Sequence, residues 1–266
     1  MPRAIGLELE LIPIVSSTKK PALPARGEAP STADILSQLG TREHWMEKPA
    51  DDDPPSWELR DGARISFEPG GQIEISTSPH ATASSVVDST RALVALLRNA
   101  MQREGIELIA RGVDPYNGID AVPLQLHRER YSRMTRYFDS IGPSGVRMMR
   151  QTAALQINVE RGEDPKSRWR LLNELAPVVV ALFANSRDYA GSSTDAASYR
   201  GQLWRSLDYS RTGIVYDERR FVERYFEFAL DAIAMRSDEA AGPYRTFRDW
   251  MRDSAVTADD WLFHLS

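Results

Sequence analysis

The sequence contains no cysteine, and this absence excludes several kinds of chemistry. Without thiols the chain can form no disulfide, no thiolate zinc site and no cysteine nucleophile. Its 4 histidines, His44, His80, His127 and His264, are scattered along the chain, and each is better explained as a surface or core residue than as a ligand. Any metal in this protein must therefore be held by oxygen or imidazole ligands.

Long apolar runs and familiar catalytic motifs are also missing. No run of 18 apolar residues and no basic-then-apolar amino-terminal signal occurs, so we expect neither membrane spanning nor export, and the cytoplasm is the default compartment. The sequence lacks a Walker loop, a dinucleotide-binding glycine motif, a nucleophile elbow and a zincin motif. A zinc or serine-nucleophile mechanism is therefore disfavoured.

The charge balance narrows the class of partner. The formal net charge is -5, which argues against a nucleic-acid or anionic-membrane partner. The chain nevertheless carries 33 lysines and arginines, which is enough to build a local pocket for a phosphate or carboxylate. We therefore expect small anionic ligands in place of polyanions.

Several segments alternate apolar and polar residues, which is the pattern of half-buried β-strands. They are residues 4–14, 64–68, 72–77 and 153–160, and a Pro-Gly-Gly turn joins the second to the third. Their polar faces carry Glu8, Glu10, Glu68, Glu74, Gln156 and Asn158. Oxygen ligands thus recur at period two on each predicted strand.

Two interpretations of these polar faces stay open. Antiparallel sheets commonly expose one face to water, so the glutamates could simply be solvated. Four like charges on adjacent strands would, however, destabilise a sheet, and glutamate is uncommon in strands. A cluster of this kind suggests divalent cations, and Mg²⁺ takes carboxylates together with water and substrate phosphates.

The remaining segments complete an α+β order without internal repeats. Helical patterns cover residues 32–39, 82–104, 128–139, 165–186, 218–235 and 244–253. Residues 15–31 and 48–56 are Pro-rich or acidic and indicate exposed loops, and Asp61-Gly62 indicates a hairpin turn. With 266 residues, 42% of them hydrophobic, the chain can bury a sizeable core.

The stretch ISFEPGGQIEIS (65–76) resembles the signature segment of the plant-type and bacterial glutamate-cysteine ligases. The segments 130–160, 181–186 and 198–213, the last reading SYRGQLWRSLDYSRTG, resemble further blocks of the same family in the same order. Parts of 130–160 resemble the subgroup that supplies γ-glutamylcysteine for ergothioneine.

The resemblance implies a fold and a reaction. It implies that residues 1–266 form a single catalytic domain, an antiparallel sheet curled into a funnel, flanked by helices and similar to the catalytic domain of glutamine synthetase. It also implies that ATP phosphorylates the γ-carboxylate of glutamate with the help of Mg²⁺, and that the amine of cysteine attacks the acyl phosphate to give γ-glutamylcysteine, ADP and phosphate.

The resemblance also assigns roles to individual residues. It implies metal ligands at Glu8, Glu10, Glu68, Glu74 and Gln156, substrate-binding residues at Arg200, Trp204 and Gln151, nucleotide-binding residues at Asn158 and Arg211, and catalytic residues at Arg211 and Glu74. Arg200 and Trp204 are four apart and share a helix face, and a guanidinium suits a carboxylate. Position 151 is Gln where the plant members have Arg.

Family members continue beyond the point that matches the final DDWLFHLS of this chain, into a strand with another metal-side glutamate and an arginine. We therefore expect an unpaired sheet edge, slow or absent turnover by this chain alone, and either self-association or a need for the missing segment to be supplied in trans. Three functions remain open: a glutamate-cysteine ligase, a related ligase with another amine acceptor, and a catalytically weak protein that binds nucleotide or glutamate.

Overall fold

The computed structural model describes residues 4–25, 31–215, 220–235, 245–253 and 255–265. It contains α-helices and an antiparallel sheet that does not close, which agrees with the α+β prediction. The main sheet comprises β1 (Ile5–Val15), β2 (Met46–Lys48), β3 (Ser56–Glu58), β4 (Arg64–Phe67), β5 (Ile73–Ser76), β6 (Ile106–Ile109) and β7 (Leu155–Val159). A separate pair is formed by β8 (Asp188–Tyr189) and β9 (Ser192–Ser193).

The described helices run along the rest of the chain. They are α1 (Thr32–Glu43), α2 (Ala83–Arg103), α3 (Glu129–Ile141), α4 (Pro143–Gln151), α5 (Pro165–Phe183), α6 (Tyr199–Arg205), α7 (Tyr209–Thr212), α8 (Phe221–Asp231), α9 (Phe247–Asp253) and α10 (Ala258–Leu265). Side-chain caps begin α1 and α2, since the Oγ of Ser31 accepts from the N–H of Asp34 and the Oγ1 of Thr82 accepts from the N–H of Ser85.

The long strand β1 organises the sheet because it pairs with three other strands. It runs antiparallel to β5, β6 and β7, and the sheet continues from β5 through β4 and β3 to β2. The strands that carry the polar faces are therefore neighbours, in the order β7, β1, β5, β4. The alternating pattern of the sequence thus becomes one continuous polar surface.

The opposite face of the sheet forms the main core. Leu11, Ile65, Ile73 and Ile75 are fully buried, together with Trp57 of β3. They pack in one cluster with apolar residues of α1 and α2. Burial of each such side chain contributes roughly 1.5–3 kcal/mol. Because the apolar face is covered by these two helices, the glutamates at alternate positions must point to the other side.

A second apolar cluster joins α3 and α4 to a segment further along the chain. It contains Tyr137, Phe138, Val146, Met149 and Met235. The guanidinium groups of Arg130 in α3 and Arg200 in α6 act electrostatically on glutamates of the polar face. These helices therefore lie on the polar side of the sheet, and a site forms between the two layers.

Most predicted elements are confirmed, with differences in extent. The turn at Asp61-Gly62 joins β3 to β4, with Gly62 at φ +85°. The sequence patterns did not indicate β6, α4 or α10, and they indicated a loop over residues 48–56, whose ends belong to β2 and β3. The predicted helices at 218–235 and 244–253 correspond to α8 and α9, while residues 216–219 and 236–244 lie outside the described residues.

One part of the structure departs from the expected burial. Leu155 and Ile157 of β7 are 58% and 64% exposed, although they occupy the apolar side of their strand. The helix α5 has no buried residue, and its Leu182 and Phe183 are more than two-thirds exposed, at 72% and 73%.

None of the helices described is both long and apolar enough to cross a membrane.

Candidate functional site

The sheet register brings the predicted carboxylates together. Glu10 of β1 lies directly opposite Glu74 of β5, and Glu74 lies opposite Ser66 of β4. On the other side of β1, Glu8 faces Gln156 of β7. The acidic face, defined here as Glu8, Glu10, Glu68 and Glu74, thus spans the adjacent strands β1 and β5 and the turn after β4.

Hydrogen bonds orient three of these carboxylates. The two oxygens of Glu8 accept from the side-chain amides of Gln156 and Asn158, each at 2.9 Å. One oxygen of Glu10 accepts from the backbone N–H of Ala154 at 2.9 Å, and one oxygen of Glu74 accepts from the Ser66 hydroxyl at 2.8 Å. Gln156 and Asn158 therefore join the acidic face, as the sequence predicted.

The electrostatics of the acidic face are those of crowded, partly buried carboxylates. Burial raises the pKa of Glu10 to about 7, and the nearby Glu74 and Glu8 add to this, while a hydrogen bond from Ala154 and the Arg200 guanidinium oppose it. Burial, with repulsion from Glu74 and Glu10, raises the pKa of Glu68 to about 8, against the attraction of Arg130. Perturbed pKa values of this kind cluster at functional sites, although buried structural networks also produce them.

A rigid turn places Glu68 on this face. Its carbonyl accepts from the N–H of Gly71, which has φ +87°, and the buried side chain of Gln72 accepts from Gly70 N–H and donates to the Thr152 carbonyl at 2.7 Å. The turn is thereby tied to the end of α4. A Cβ on Gly70 would lie 1.8 Å from the carbonyl oxygen of Arg150, so only glycine fits there.

The residues predicted to bind the amino acid, Arg200 and Trp204, lie on α6. The Ser198 hydroxyl caps this helix by accepting from Gly201 N–H, and the Arg200 guanidinium carbon lies 5.5 Å from the centre of the Trp204 ring. Burial lowers the pKa of Arg200, opposed by Glu10. Among the described residues, the buried Nε of Arg200 has no hydrogen-bond partner. The guanidinium therefore keeps donor capacity beside the acidic face.

A cavity of about 320 Å³ lies next to α6. Its lining combines two arginines with methionine sulfur and aromatic rings, together with a few other residues. The lining residues are Arg130, Arg211, Met134, Met148, Met235, Phe138, Trp204, Trp250, His264, Leu207, Asp208 and Thr212. Trp204 and Arg130 connect the cavity to the acidic face, since Trp204 stacks against Arg200 and Arg130 acts on Glu68.

Arg211 reaches this cavity from α7. Its Nη2 donates to the Ile233 carbonyl at 2.6 Å and contacts Nδ1 of His264 at 3.3 Å. Asp208 acts on Arg211 electrostatically, while its carboxylate accepts from the Tyr137 hydroxyl and from Ser210 N–H. Burial lowers the pKa of Arg211. Arg211 is thus held by carbonyl and imidazole groups and presents its charge to the cavity.

The structure does not bring Gln151 into this group. Gln151 is 1% exposed, its Nε2 donates to the Asn117 carbonyl at 2.7 Å, and its Oε1 accepts from the Tyr189 hydroxyl at 2.9 Å. Both ends of its amide are therefore used in packing. The expectation that Gln151 binds substrate therefore stays a prediction, since both ends of its amide are engaged by Asn117 and Tyr189.

The acidic face has the donor chemistry of a Mg²⁺ site, although its ligands are not gathered into a shell. In the part of the chain that the structure describes, no group of three or more His, Asp or Glu stands in a metal-holding arrangement. The carboxylates are hard oxygen donors; the pKa values of Glu10 and Glu68 are raised mainly by burial and additionally by their carboxylate neighbours, whose repulsion a cation would relieve. The residues therefore fit a hard divalent cation in charge and donor type.

Sequence analysis missed several residues of the site. Ser66 follows the alternation of its strand and could have been found from it, since positions 66, 68 and 74 share one face. Arg130 and His264 carry no local signal, because α3 and α10 reach the site only through tertiary packing. Gln72 resembles any strand residue until its buried hydrogen bonds are seen.

Comparison with known proteins agrees with these features. The model of glutamate-cysteine ligase family 2 (GCS2) matches residues 4–266. The chloroplastic glutamate-cysteine ligase of Solanum lycopersicum is 27% identical over 250 residues, covering 88% of this chain and 47% of that protein. The glutamate-cysteine ligase EgtA of Mycolicibacterium smegmatis is 35% identical over 251 residues, covering 87% of this chain and 57% of that protein.

The match to the family model extends over almost the whole chain, so the chain belongs to glutamate-cysteine ligase family 2. It spans about half the length of the curated relatives it matches, for example 47% and 57% of the two above.

Proposed function

We propose that this chain carries the catalytic site of an ATP-dependent ligase that joins the γ-carboxylate of glutamate to the amine of cysteine. The observation that carries the proposal is the register that sets Glu10 opposite Glu74, with Arg200 acting on Glu10 from the facing helix. A carboxylate-lined surface for metal and phosphate and a cationic group for the amino acid then lie side by side. We further propose that the open sheet is the funnel of the glutamine-synthetase type.

The acidic face would hold Mg²⁺ through the carboxylates of Glu8, Glu10, Glu68 and Glu74, with the side-chain amide oxygen of the neighbouring Gln156 as a further ligand. Bound there, Mg²⁺ would neutralise the ATP phosphates as the γ-phosphoryl group moves. Asn158 lies beside Glu8 and would orient the nucleotide. Ser66 and Ala154 fix one oxygen each of Glu74 and Glu10, so these side chains need little reorganisation when the metal arrives.

The cationic residues would serve the amino-acid substrates. Arg200 would bind a carboxylate of glutamate through its planar guanidinium, with Trp204 holding the guanidinium plane. Arg211 would bind a second anionic group from the cavity side. In the reaction, an oxygen of the γ-carboxylate attacks the γ-phosphorus and ADP leaves. The amine then attacks the acyl carbon, and phosphate leaves with that oxygen.

An isotope experiment tests this sequence of bonds. With ATP, Mg²⁺, cysteine and glutamate labelled with ¹⁸O in the γ-carboxylate, mass spectrometry should find one ¹⁸O in the released phosphate and γ-glutamylcysteine in equal amount. Phosphate without label would exclude the acyl phosphate. ATP and glutamate binding without product would favour the third function, a binding protein with little catalysis.

Arg200→Lys tests the assignment of the amino-acid pocket. Lysine keeps the charge but lacks the planar fork, so glutamate affinity should fall by about tenfold or more while the affinity for a Mg·ATP analogue changes little. Arg205→Lys is a matched control, since Arg205 is exposed on the same helix. Equal loss of both ligands in calorimetry would mean that Arg200 serves the phosphates.

The cavity supports a second candidate, a ligase with another amine acceptor. Its lining includes three methionines and three large aromatic rings, which suits an acceptor with a larger apolar side chain than cysteine. A panel of amino acids and amines, assayed for acceptor-dependent ADP release, distinguishes the two.

We propose small-molecule substrates, no nucleic acid or membrane partner, and the cytoplasm as the compartment, on the basis of charge and composition.

A further inference from the structure

His264 occupies an unusual position for a residue that sequence analysis placed outside the site. It is 5% exposed and stacks on the Phe247 ring, with ring centres 4.3 Å apart at 18°. Its Nε2 lies 2.7 Å from the Ala229 carbonyl oxygen, and its Nδ1 lies 3.3 Å from Nη2 of Arg211. Both ring nitrogens therefore have a hydrogen-bond partner, one that can only accept and one that can only donate.

These partners determine the tautomer of His264. A carbonyl oxygen can only accept, so Nε2 must carry the proton that points at Ala229. A guanidinium can only donate, so Nδ1 must be the unprotonated acceptor for Arg211. The geometry therefore requires a neutral imidazole. A second proton, on Nδ1, would direct N–H against the N–H of Arg211 and place two cations in contact.

Arg211 depends on this imidazole for its orientation. The Ile233 carbonyl and the His264 ring accept from the same Nη2, while Nη1 contacts the His264 carbonyl oxygen at 3.4 Å. These contacts hold one edge of the guanidinium against the protein. The buried Nε of Arg211 has no hydrogen-bond partner among the described residues. The group therefore retains donor capacity next to the cavity that it lines.

We propose that His264 is a positioning residue for Arg211: as a neutral acceptor it holds the guanidinium ready for an oxyanion of the substrate, and its protonation releases Arg211 and weakens binding of that oxyanion. The proposal rests on the proposed function, in which the cavity side of Arg211 receives a carboxylate or a phosphate.

Among the described residues, Arg211 is the charged group whose side chain contacts the His264 ring. The ring is enclosed by Phe247 of α9 and Trp261 of α10, and by the Ala229 carbonyl of α8. Asp260 is one turn earlier in α10, where its carboxylate accepts from Thr257. Burial lowers the pKa of His264, and Arg211 lowers it further against the Ala229 hydrogen bond. Protonation therefore sets in below the ordinary range of histidine.

The first measurement needs no ligand. Ring ¹⁵N chemical shifts of the wild-type protein at pH 8 should show His264 as the Nε2–H tautomer, in contrast to exposed histidines that sample both, and a titration from pH 8 to 5 then gives its pKa. Replacing the neighbouring cation by Arg211→Met should raise the pKa of His264. A Nδ1–H tautomer, or a pKa unmoved by Arg211→Met, would overturn the contact on which the proposal stands.

The second measurement compares two amide variants. The Oδ1 of His264→Asn can replace Nδ1 as the acceptor for Arg211, whereas His264→Gln extends its amide toward Ala229 and leaves Arg211 without it. The binding of glutamate, cysteine and a Mg·ATP analogue is measured separately by calorimetry at pH 7.5. For one of these three ligands, His264→Asn should bind within about threefold of wild type, whereas His264→Gln should bind about tenfold more weakly. That ligand identifies the oxyanion as carboxylate or phosphate.

The ratio of wild-type to His264→Asn affinity isolates the effect of His264 protonation on binding, because the acidic face titrates in the same way in both proteins. This ratio should fall as the pH decreases from 7 to 5. A constant ratio, together with equal affinities of the Asn and Gln variants, would overturn the proposal while leaving the proposed function intact. Failure of the wild-type protein to bind any of the three ligands would overturn both.

Discussion

At the scale of single residues, Glu10 and Glu68 are carboxyl groups whose charged form is disfavoured by burial and by neighbouring glutamates. Their pKa values of about 7 and about 8 lie well above that of a free carboxyl, so the folded protein binds protons that the unfolded chain does not. Their contribution to stability is therefore present at low pH and is lost as the pH rises through 7 and 8. The charged forms of Glu10 and Glu68 at higher pH therefore cost the folded protein stability.

Glu68→Gln should remove most of this cost. In metal-free buffer at pH 8.5 we expect the free energy of unfolding to rise by about 1–3 kcal/mol, since a neutral amide replaces a crowded carboxylate. At pH 5 the two proteins should be nearly equal, because Glu68 is then protonated. Denaturant titrations at both pH values give the comparison, with exposed Glu163→Gln as control. A destabilised variant at pH 8.5 would instead make Glu68 a structural residue.

Gly70 is a second residue whose identity the site demands. Gly70→Ala would place a methyl group 1.8 Å from the backbone oxygen of Arg150, and backbone cannot rotate away as a side chain could. We expect a loss of about 1–3 kcal/mol in unfolding free energy. Gly118→Ala is the matched control, because a Cβ there meets nothing within 4 Å. Equal melting temperatures of the two variants would show that the turn after β4 can shift.

At the scale of elements, β7 and α5 differ from the rest of the structure. The strand β7 pairs with β1 along one edge, and its Leu155, Ile157 and Val159 are 58%, 64% and 37% exposed. Apolar groups on an exposed edge strand favour association with another chain, because both backbone pairing and apolar burial are available there. The self-association expected from the sequence therefore stays a prediction, now located at β7.

Ile157→Lys tests that location. A charge in the middle of the apolar row should shift the protein toward the monomer in sedimentation experiments at micromolar concentrations, with secondary structure unchanged. Ile214→Lys is the control, since Ile214 is 84% exposed but lies outside β7 and α5. A wild-type protein that stays monomeric throughout this concentration range would contradict the prediction.

At the scale of the whole molecule, ligand binding and stability should be linked through the acidic face. A ligand that binds only the folded state at about 100 times its Kd adds about 2.7 kcal/mol to the unfolding free energy. We expect a Mg·ATP analogue to raise the melting temperature more at pH 8.5 than at pH 6, because at pH 6 protons on Glu10 and Glu68 compete with the metal.

Glu74→Gln should reduce this stabilisation at both pH values, since one carboxylate of the face becomes neutral. Differential scanning fluorimetry with Mg²⁺ alone, the analogue alone and both together separates the metal from the nucleotide. If the shift is the same at pH 6 and pH 8.5 and survives Glu74→Gln, the nucleotide binds elsewhere on the molecule.

The sequence predicted much of the fold because alternation is a local signal. It indicated β1, β4, β5 and β7 and the face on which each carries its glutamates or amides, and it placed Arg200 and Trp204 on one helix face. Short elements such as β2, with three residues, and β6, with four, escaped it, because they are too short for a clear period. The family blocks, in their order along the chain, also indicated the ligase family that the comparisons confirm.

By itself the sequence determined the residue types of the site, its polar strand faces and its oxygen chemistry, since these follow from composition and from spacing along the chain. Only the tertiary structure decided that Glu10 stands opposite Glu74, that Gln151 turns into the packing, and that His264 reaches Arg211 over a separation of 53 residues. Strand register and helix docking set these contacts, and both depend on residues distant in the chain, for which no local pattern exists.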